Sequence, residues 1–552
     1  MPTIAIAFQK VLLAAQHMRL GSLFRSLLML LLALPVLLVL AAWLQWDSTS
    51  AQVWQDLSST VLPDYLWSSL VLCAWVSVGV VSMGSISAAA VTLFEFRGRQ
   101  TLSWALLLPL AMPAYVVAYA YTDFLQFSGP LQQALRHSMG WQGALWPDVR
   151  SLGGAAVVLS LSLYPYVYLL TRTALAERAP QLMEAARLLG AGLPRRITQV
   201  ALPLARPAIT AGLALALMET LADFGVSSYF GVQTFSAGIY KAWLVMDNRW
   251  AAAQLASVLL VLVAAVLWLE QTAQRRLRFV SNRTASRTSE SQPLRLQGWP
   301  AALALLLCLM PVLLGFVLPL LIMLHALWQS SQSQALPWQA FIGWTWNSLR
   351  LGALTAVLAV AAALLLAHSL RVQSSAWRRL QVQLVGLGYA VPGVVIVVGL
   401  LWPVSWLQAQ WPQSQVGYWL TATSLGLVWA YLVRFIAVAL QSVQTGYSRI
   451  ASSTDESARM LGCSGWPLFQ RVHWPLLKPA SAAALLLVWV DVMKELPATL
   501  VLRPFNSDTL AVVAYQLARD ERLGEAALPS LALVLVGLLP VLLLSRSLQK
   551  PA

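Results

Sequence analysis

The side chains best suited to chemistry lie where charge is scarce. Glu219 and Asp223 fall near the end of one apolar run, and Asp491, Lys494 and Glu495 near the end of another. An ionisable group in such a run is costly unless it faces a protected or watery interior, so each invites a role. On a helix, a spacing of four residues puts Glu219 and Asp223 on one face. At an offset of 272 residues they become Asp491 and Glu495, so two equivalent segments supply two carboxylate pairs. Carboxylate oxygens suit a hard trivalent cation, and such contacts along a passage must be weak and transient if the ion is to leave. The bland alternative is that Lys494 neutralises one or more of these acids in an ion pair, or that the acids lie in an external gate region and help hold the halves together. Tyr115, Tyr119, Tyr121 and Asp123, in "AYVVAYAYTD", add further oxygens, with helix packing as the competing explanation. Cys73, Cys308 and Cys463 are too far apart for a disulfide framework or a zinc pattern and read as buried, inert thiols. The five histidines form no HExxH or similar pair.

The elements that must position these groups are membrane spans. The 552 residues are 59% hydrophobic and 10% charged, with a mean hydropathy of +0.69, whereas a soluble domain carries about 25% charged residues. Apolar runs of span length number about twelve, near 27–45, 67–93, 102–125, 153–173, 204–224, 251–269, 301–327, 347–369, 381–404, 418–441, 479–501 and 527–545. The expected fold is an all-α polytopic membrane protein in a lipid bilayer. A net charge of +15 would point to nucleic acid in a soluble protein. Here the positive-inside bias accounts for it, and no nucleic-acid partner is expected. With a cytoplasmic N-terminus, roughly 27 of the 36 lysines and arginines fall on the cytoplasmic side, and both termini are cytoplasmic. Lys10, Arg19 and Arg25 precede a run too long for a signal peptide, which reads as a retained first span. The Ser-, Thr- and Arg-rich stretch within 271–299 reads as a cytoplasmic linker between a first half, 1–270, and a second, 300–552.

The halves repeat one another. Glu184, Ala186, Arg187, Leu189, Gly190, Val200, Pro203, Leu204, Pro207 and Ala208 recur 272 positions later, from Glu456 to Ala480. "LWSSL" at Leu66 and Pro113 are echoed by "TWNSL" at Thr345 and Pro392, at an offset of 279. Six spans per half preserve orientation, so the repeats are parallel. Within each loop, about 174–207 and about 443–479, Pro180 or Ser452 is expected to begin a short helix, with Glu184 or Glu456 in its early turns. Gly190 or Gly462 should end that helix, and Pro203 and Pro207 should hold the loop rigidly to the next span. Topology alone needs charge, not Glu, Ala, Gly and Pro at matched spacing.

Glu184, Ala185, Ala186, Gly190, Leu202 and Pro203 resemble the cytoplasmic Glu-Ala-Ala signature of the permeases of bacterial binding-protein-dependent ABC importers. The second copy, Glu456, Ser457, Ala458, Gly462 and Pro475, departs from it at Ser457 and at Trp474, so its docking surface should differ from the first. "LAMPAYVVAYAYTDFLQFSGPLQ" from Leu110, "ETLADFGVSSYFGVQTFSAGIYKAW" from Glu219 and "DVMKELPATLVLRPF" from Asp491 resemble the fused, two-half permeases of the ferric iron type.

The resemblance implies that each loop seats in a cleft of a separate cytoplasmic ATPase subunit, present in two copies, and that a periplasmic substrate-binding protein delivers cargo across the bacterial inner membrane. The chain has no GxxxxGK[ST] phosphate loop, so ATP and magnesium belong to the partner and the chain itself is expected to bind no cofactor and to catalyse no reaction. The charged segment from Arg503, expected outside, is the candidate dock for the binding protein. Relatives for thiamine, phosphonate or polyamine share the architecture, and an ion-coupled secondary transporter with a parallel duplication is the competing class.

Overall fold

The computed structural model describes residues 26–44, 48–277, 294–333, 335–372, 379, 382–383, 385–413 and 415–549, which fold mostly into helices. Lys10, Arg19 and Arg25, and most of the expected linker, lie outside the described residues. Among the described residues, ten helices are long and apolar enough to cross a membrane. The run near 102–125 forms a pair, Arg99–Ala111 and Ala114–Met139, bent by 89°. The bend falls between Pro109 and Pro113, where Met112 is extended, as a residue before proline prefers to be. The first run forms a shorter apolar helix, Ser26–Ala41. Every apolar run thus has a helical counterpart, and the protein is an all-α polytopic membrane protein.

The compact units do not follow the linear halves. One holds Trp46–Thr345 with Asp508–Ala552, and the other Met1–Gln45 with Trp346–Ser507. The division 1–270, 271–299 and 300–552 describes the sequence repeat, and packing redistributes the ends of each half. In the smaller unit, Trp429 Nε1 donates to the Leu31 carbonyl at 2.9 Å, and Gly399 lies so close to Pro35 that a β-carbon would strike its carbonyl. Helix Ser26–Ala41 therefore packs among spans of the second repeat. In the larger unit, helices Leu510–Arg519 and Leu523–Gln549 pack on Ala114–Leu125 and Leu318–Ser333. Tyr515 and Ser228 share a hydrogen bond of 2.8 Å there.

Close backbone approach builds the core of the larger unit. A β-carbon on Gly84, in helix Leu62–Leu93, would lie 2.7 Å from Val167 Cβ and 2.9 Å from the Tyr164 carbonyl of helix Leu152–Leu188. One on Gly212, in helix Leu202–Ala222, would lie 2.6 Å from Val167 Cα. Lipid tails are as apolar as leucine, so membrane helices gain from the contacts that small residues permit. Arg99, paired with Glu95 at 2.5 Å, also donates to the Val91 carbonyl. The short parallel pairing of Phe94–Glu95 with Leu294–Arg295 joins the last part of the linker to this turn. Gly84→Val should lower the thermal midpoint of the purified protein through overpacking of about 1–3 kcal/mol. Gly343→Ala, where a β-carbon meets open space, should not lower it. A Gly84→Val protein as stable as the parent would show that the close approach is dispensable.

Candidate functional site: repeated elbows and capped span ends

The two copies of the Glu-Ala-Ala pattern end in the same backbone motif. After the first, Gly190 adopts φ +82° and after the second Gly462 adopts φ +77°, the left-handed region that glycine enters without steric cost. Gly190 N–H donates to the Arg187 carbonyl and Ala191 N–H to Ala186. Gly462 donates to Arg459 and Cys463 to Ala458 in the same way. This is the Schellman arrangement, which satisfies helix-end carbonyls and turns the chain sharply. A π-turn follows in each copy, Ile197–Ala201 and Phe469–His473. Pro203 and Pro475 are then the second residues of helices Leu202–Ala222 and Trp474–Lys494, directly after the π-helical turn.

The copies differ in how the elbow helix begins. Sequence places a helix start at Pro180, but helix Leu152–Leu188 runs through that point unbroken. Its apolar span, Leu152–Ala176, therefore continues for roughly another 18 Å at 1.5 Å per residue, carrying Glu184, Ala185 and Ala186 on its last turns. In the second copy helix Ser424–Ser448 stops, Ala451 is extended, and Ser452–Met460 is a separate helix bearing Glu456, Ser457 and Ala458.

The seats beneath the elbows differ as well. Met183 is buried with Leu93, Leu175, Ala201 and Ala205 in an apolar cluster. At the 272 offset, Leu175, Met183 and Ala201 become Tyr447, Asp455 and His473. Asp455 accepts from Arg371 Nε at 2.8 Å and meets His473 Nε2 at 3.0 Å. Burial raises the Asp455 carboxyl, but hydrogen bonds from Arg371 and His473 and the charges of both outweigh it and hold the group below its ordinary range. Sequence reading did not bring Arg371, Asp455 and His473 together. Laying Leu175, Met183 and Ala201 against their repeat partners was the signal that would have found the cluster.

The acids expected to share a helix face do not. Helix Leu202–Ala222 ends before Asp223, whose ψ of 127° turns it out of the helix. Asp223 instead accepts from Val226 N–H at 3.3 Å and from both Ser227 N–H and Oγ at 2.9 Å. Glu495 repeats the arrangement with Ala498 N–H at 3.0 Å, Thr499 N–H at 3.0 Å and Thr499 Oγ1 at 2.8 Å. Each acid caps the short helix that follows a broken span, a role that satisfies orphan amides. Arg434 lies 3.5 Å from Glu495, whose side chain is buried, while that of Arg434 is 11% exposed. Gly393 makes room for this pair, since a β-carbon there would stand 2.7 Å from Glu495 Oε1. Glu219, Asp491 and Lys494 remain partly buried near the ends of their helices. No group of three or more His, Cys, Asp or Glu among the described residues is arranged to hold a metal ion.

Of the tyrosines, Tyr119 is fully buried against Tyr115 and Tyr229, with ring centres 5.6 and 4.7 Å away. Tyr121 donates to the Leu314 carbonyl, and Asp123 is partly buried near the end of the same helix, Ala114–Leu125. The segment from Arg503, expected to be an external loop, is largely the well-buried helix Leu510–Arg519, preceded by a turn that leaves Phe505 exposed.

The chain matches the family described as binding-protein-dependent transport system inner membrane component over residues 81–279 and again over 359–550, and it belongs to that family. It is an inner-membrane permease subunit of an ABC importer, and permease subunits are not themselves enzymes. Over 493 residues it is 23% identical to an Fe(3+)-transport system permease protein of Haemophilus influenzae, covering 88% of this chain and 90% of the relative. A putative ferric transport system permease protein of the same organism is 23% identical over 82% of this chain and 72% of its own. A putative 2-aminoethylphosphonate transport system permease protein of Salmonella paratyphi A is 25% identical over 38% of this chain and 74% of its own.

Arg434→Met should destabilise the protein by about 3–5 kcal/mol, because the buried Glu495 carboxylate loses its countercharge. Adding Glu495→Gln should restore most of that loss. Thermal unfolding of the two variants checks this, and equal midpoints would mean that the capping amides alone carry the charge.

Proposed function

We propose that this permease moves ferric iron from a periplasmic binding protein to the cytoplasm, driven by two cytoplasmic ATPase subunits that grip its two elbows. The observation that carries the coupling role is the recurrence of one elbow geometry at a fixed offset, with Glu184 and Glu456 exposed on it. Beside the acids, Leu188 and Leu189 are 81% and 88% exposed, and Met460 and Leu461 are 89% and 87%. An apolar pair repeated in both copies and left uncovered supplies the surface that a cleft in a partner would bury. Ala185, Ala186, Gly190 and Pro203, with Ser457, Ala458, Gly462 and Pro475, shape that surface. ATP and magnesium act in the partner, and the elbows pass its closure to the spans that follow. Both termini face the cytoplasm, which puts the elbows on the ATPase side.

Iron is favoured because likeness to a relative named for Fe(3+) transport extends over 88% of the chain, whereas likeness to the aminoethylphosphonate relative extends over 38%. Phosphonate is the second reading for that reason. Glu219, Asp223, Asp491 and Glu495, with Lys494, remain the candidate path groups. Asp223 and Glu495 spend their oxygens on capping amides, which favours brief contacts with cargo over a tight metal site.

Vesicles containing the assembled transporter and its binding protein should take up labelled ferric iron only with internal ATP, and Glu184→Ala with Glu456→Ala should reduce uptake by about tenfold or more. Uptake of 2-aminoethylphosphonate instead would redirect the substrate, and uptake abolished by collapsing a proton gradient with ATP present would indicate a secondary transporter.

A further inference from the structure

The second elbow has lost the helix continuity that the first possesses, and a polar cluster stands at the break. Arg371, in the last turn of helix Trp338–Val372, donates to the Ile450 carbonyl at 2.9 Å and the Ala451 carbonyl at 3.1 Å. Those two carbonyls lie in the gap between helices Ser424–Ser448 and Ser452–Met460. The same guanidinium binds Asp455, whose other oxygen reaches His473 in the π-turn that leads into helix Trp474–Lys494. One carboxylate therefore joins the elbow helix to one preceding span and one following span. We propose that Arg371, Asp455 and His473 are positioning residues for ATP coupling, a tie that replaces in the second elbow the rigidity an unbroken helix gives the first. The proposal rests on the elbows being the ATPase seats.

The chemistry of the two seats supports the tie. Apolar burial is non-directional, so the Met183 seat fills space without fixing an angle. Charge-assisted hydrogen bonds are short and directional. The first elbow does not need that direction, because helix Leu152–Leu188 already transmits a push along its axis. The second would pivot at Arg449–Ala451 if nothing held the gap. The other titratable groups facing the cluster are His368, whose ring centre is 5.5 Å from that of His473, and Tyr447, at 5.4 Å. His368 Nδ1 and Tyr447 Oη share a hydrogen bond of 3.2 Å. Glu456, Arg459, Arg471 and Lys478, the charged groups near the cluster on these elements, are exposed, while Asp491 and Lys494 stand at the far end of helix Trp474–Lys494. With the Asp455 carboxyl held below its ordinary range, its contribution is present through neutral pH and is lost only as pH falls below the ordinary carboxylate range.

The test uses the full chain assembled with its ATPase and binding protein in vesicles, and reads the stimulation of ATP hydrolysis by the binding protein. Asp455→Asn keeps the shape and removes the charge. A second variant, Tyr447→Leu with Asp455→Met and His473→Ala, copies the apolar seat of the first elbow and so maintains packing. Both variants should assemble with the ATPase, lose stimulation by about fivefold or more, and keep the KM for ATP within about twofold of the parent. Full stimulation in the apolar-seat variant would overturn the proposal, since any filled seat would then suffice, and so would an unchanged Asp455→Asn complex. Should Asp455→Asn fail to assemble, the apolar-seat variant decides. The underlying reading fails separately, if Glu184→Ala with Glu456→Ala leaves both ATPase association and stimulation intact.

Discussion

A bilayer offers nothing to a stray backbone amide or a lone charge, and the whole architecture follows from that intolerance. Helices satisfy the spans internally. Where a span breaks, at Asp223 and at Glu495, a carboxylate stands at the break and accepts the amides of the short helix beyond it. These acids look functional in sequence because they are charged and repeated. The structure gives them a local task that any broken span would require, and Arg434 beside Glu495 balances one of the two.

The spans, the duplication and the turning glycines were legible from residues alone, because each rests on a local rule. Span length follows from hydropathy, and the ends at Gly190 and Gly462 follow from the freedom of glycine in the left-handed region. Three features were not legible. The helix through Pro180 overrides a local preference, since helix Leu152–Leu188 continues past the end of its apolar span without a break. The departure of Asp223 from its helix defeats the four-residue spacing argument, which holds only inside a helix. The packing of Ser26–Ala41 with the second repeat depends on long-range contacts that hydropathy does not encode.

Duplication usually preserves geometry more faithfully than chemistry, and both outcomes are visible in this chain. The elbows share their hydrogen bonds to within a few tenths of an ångström. Beneath them, one copy keeps a seat of Leu175, Met183 and Ala201, while the other carries Tyr447, Asp455 and His473. A fused chain can diverge in this way because each half meets only its own surroundings, whereas two identical subunits would have to change together.

The placement of the terminal helices has a consequence for biosynthesis. Helix Ser26–Ala41 leaves the ribosome well before its packing partners, Gly399 and Trp429 among them, which are made several hundred residues later. It must wait in the lipid as a lone hydrophobic rod, while its neighbours from Leu62 onward assemble without it. Cutting the gene within the linker would leave this rod on one polypeptide and its resting place on the other, so the two products would have to find each other within the membrane before either was complete.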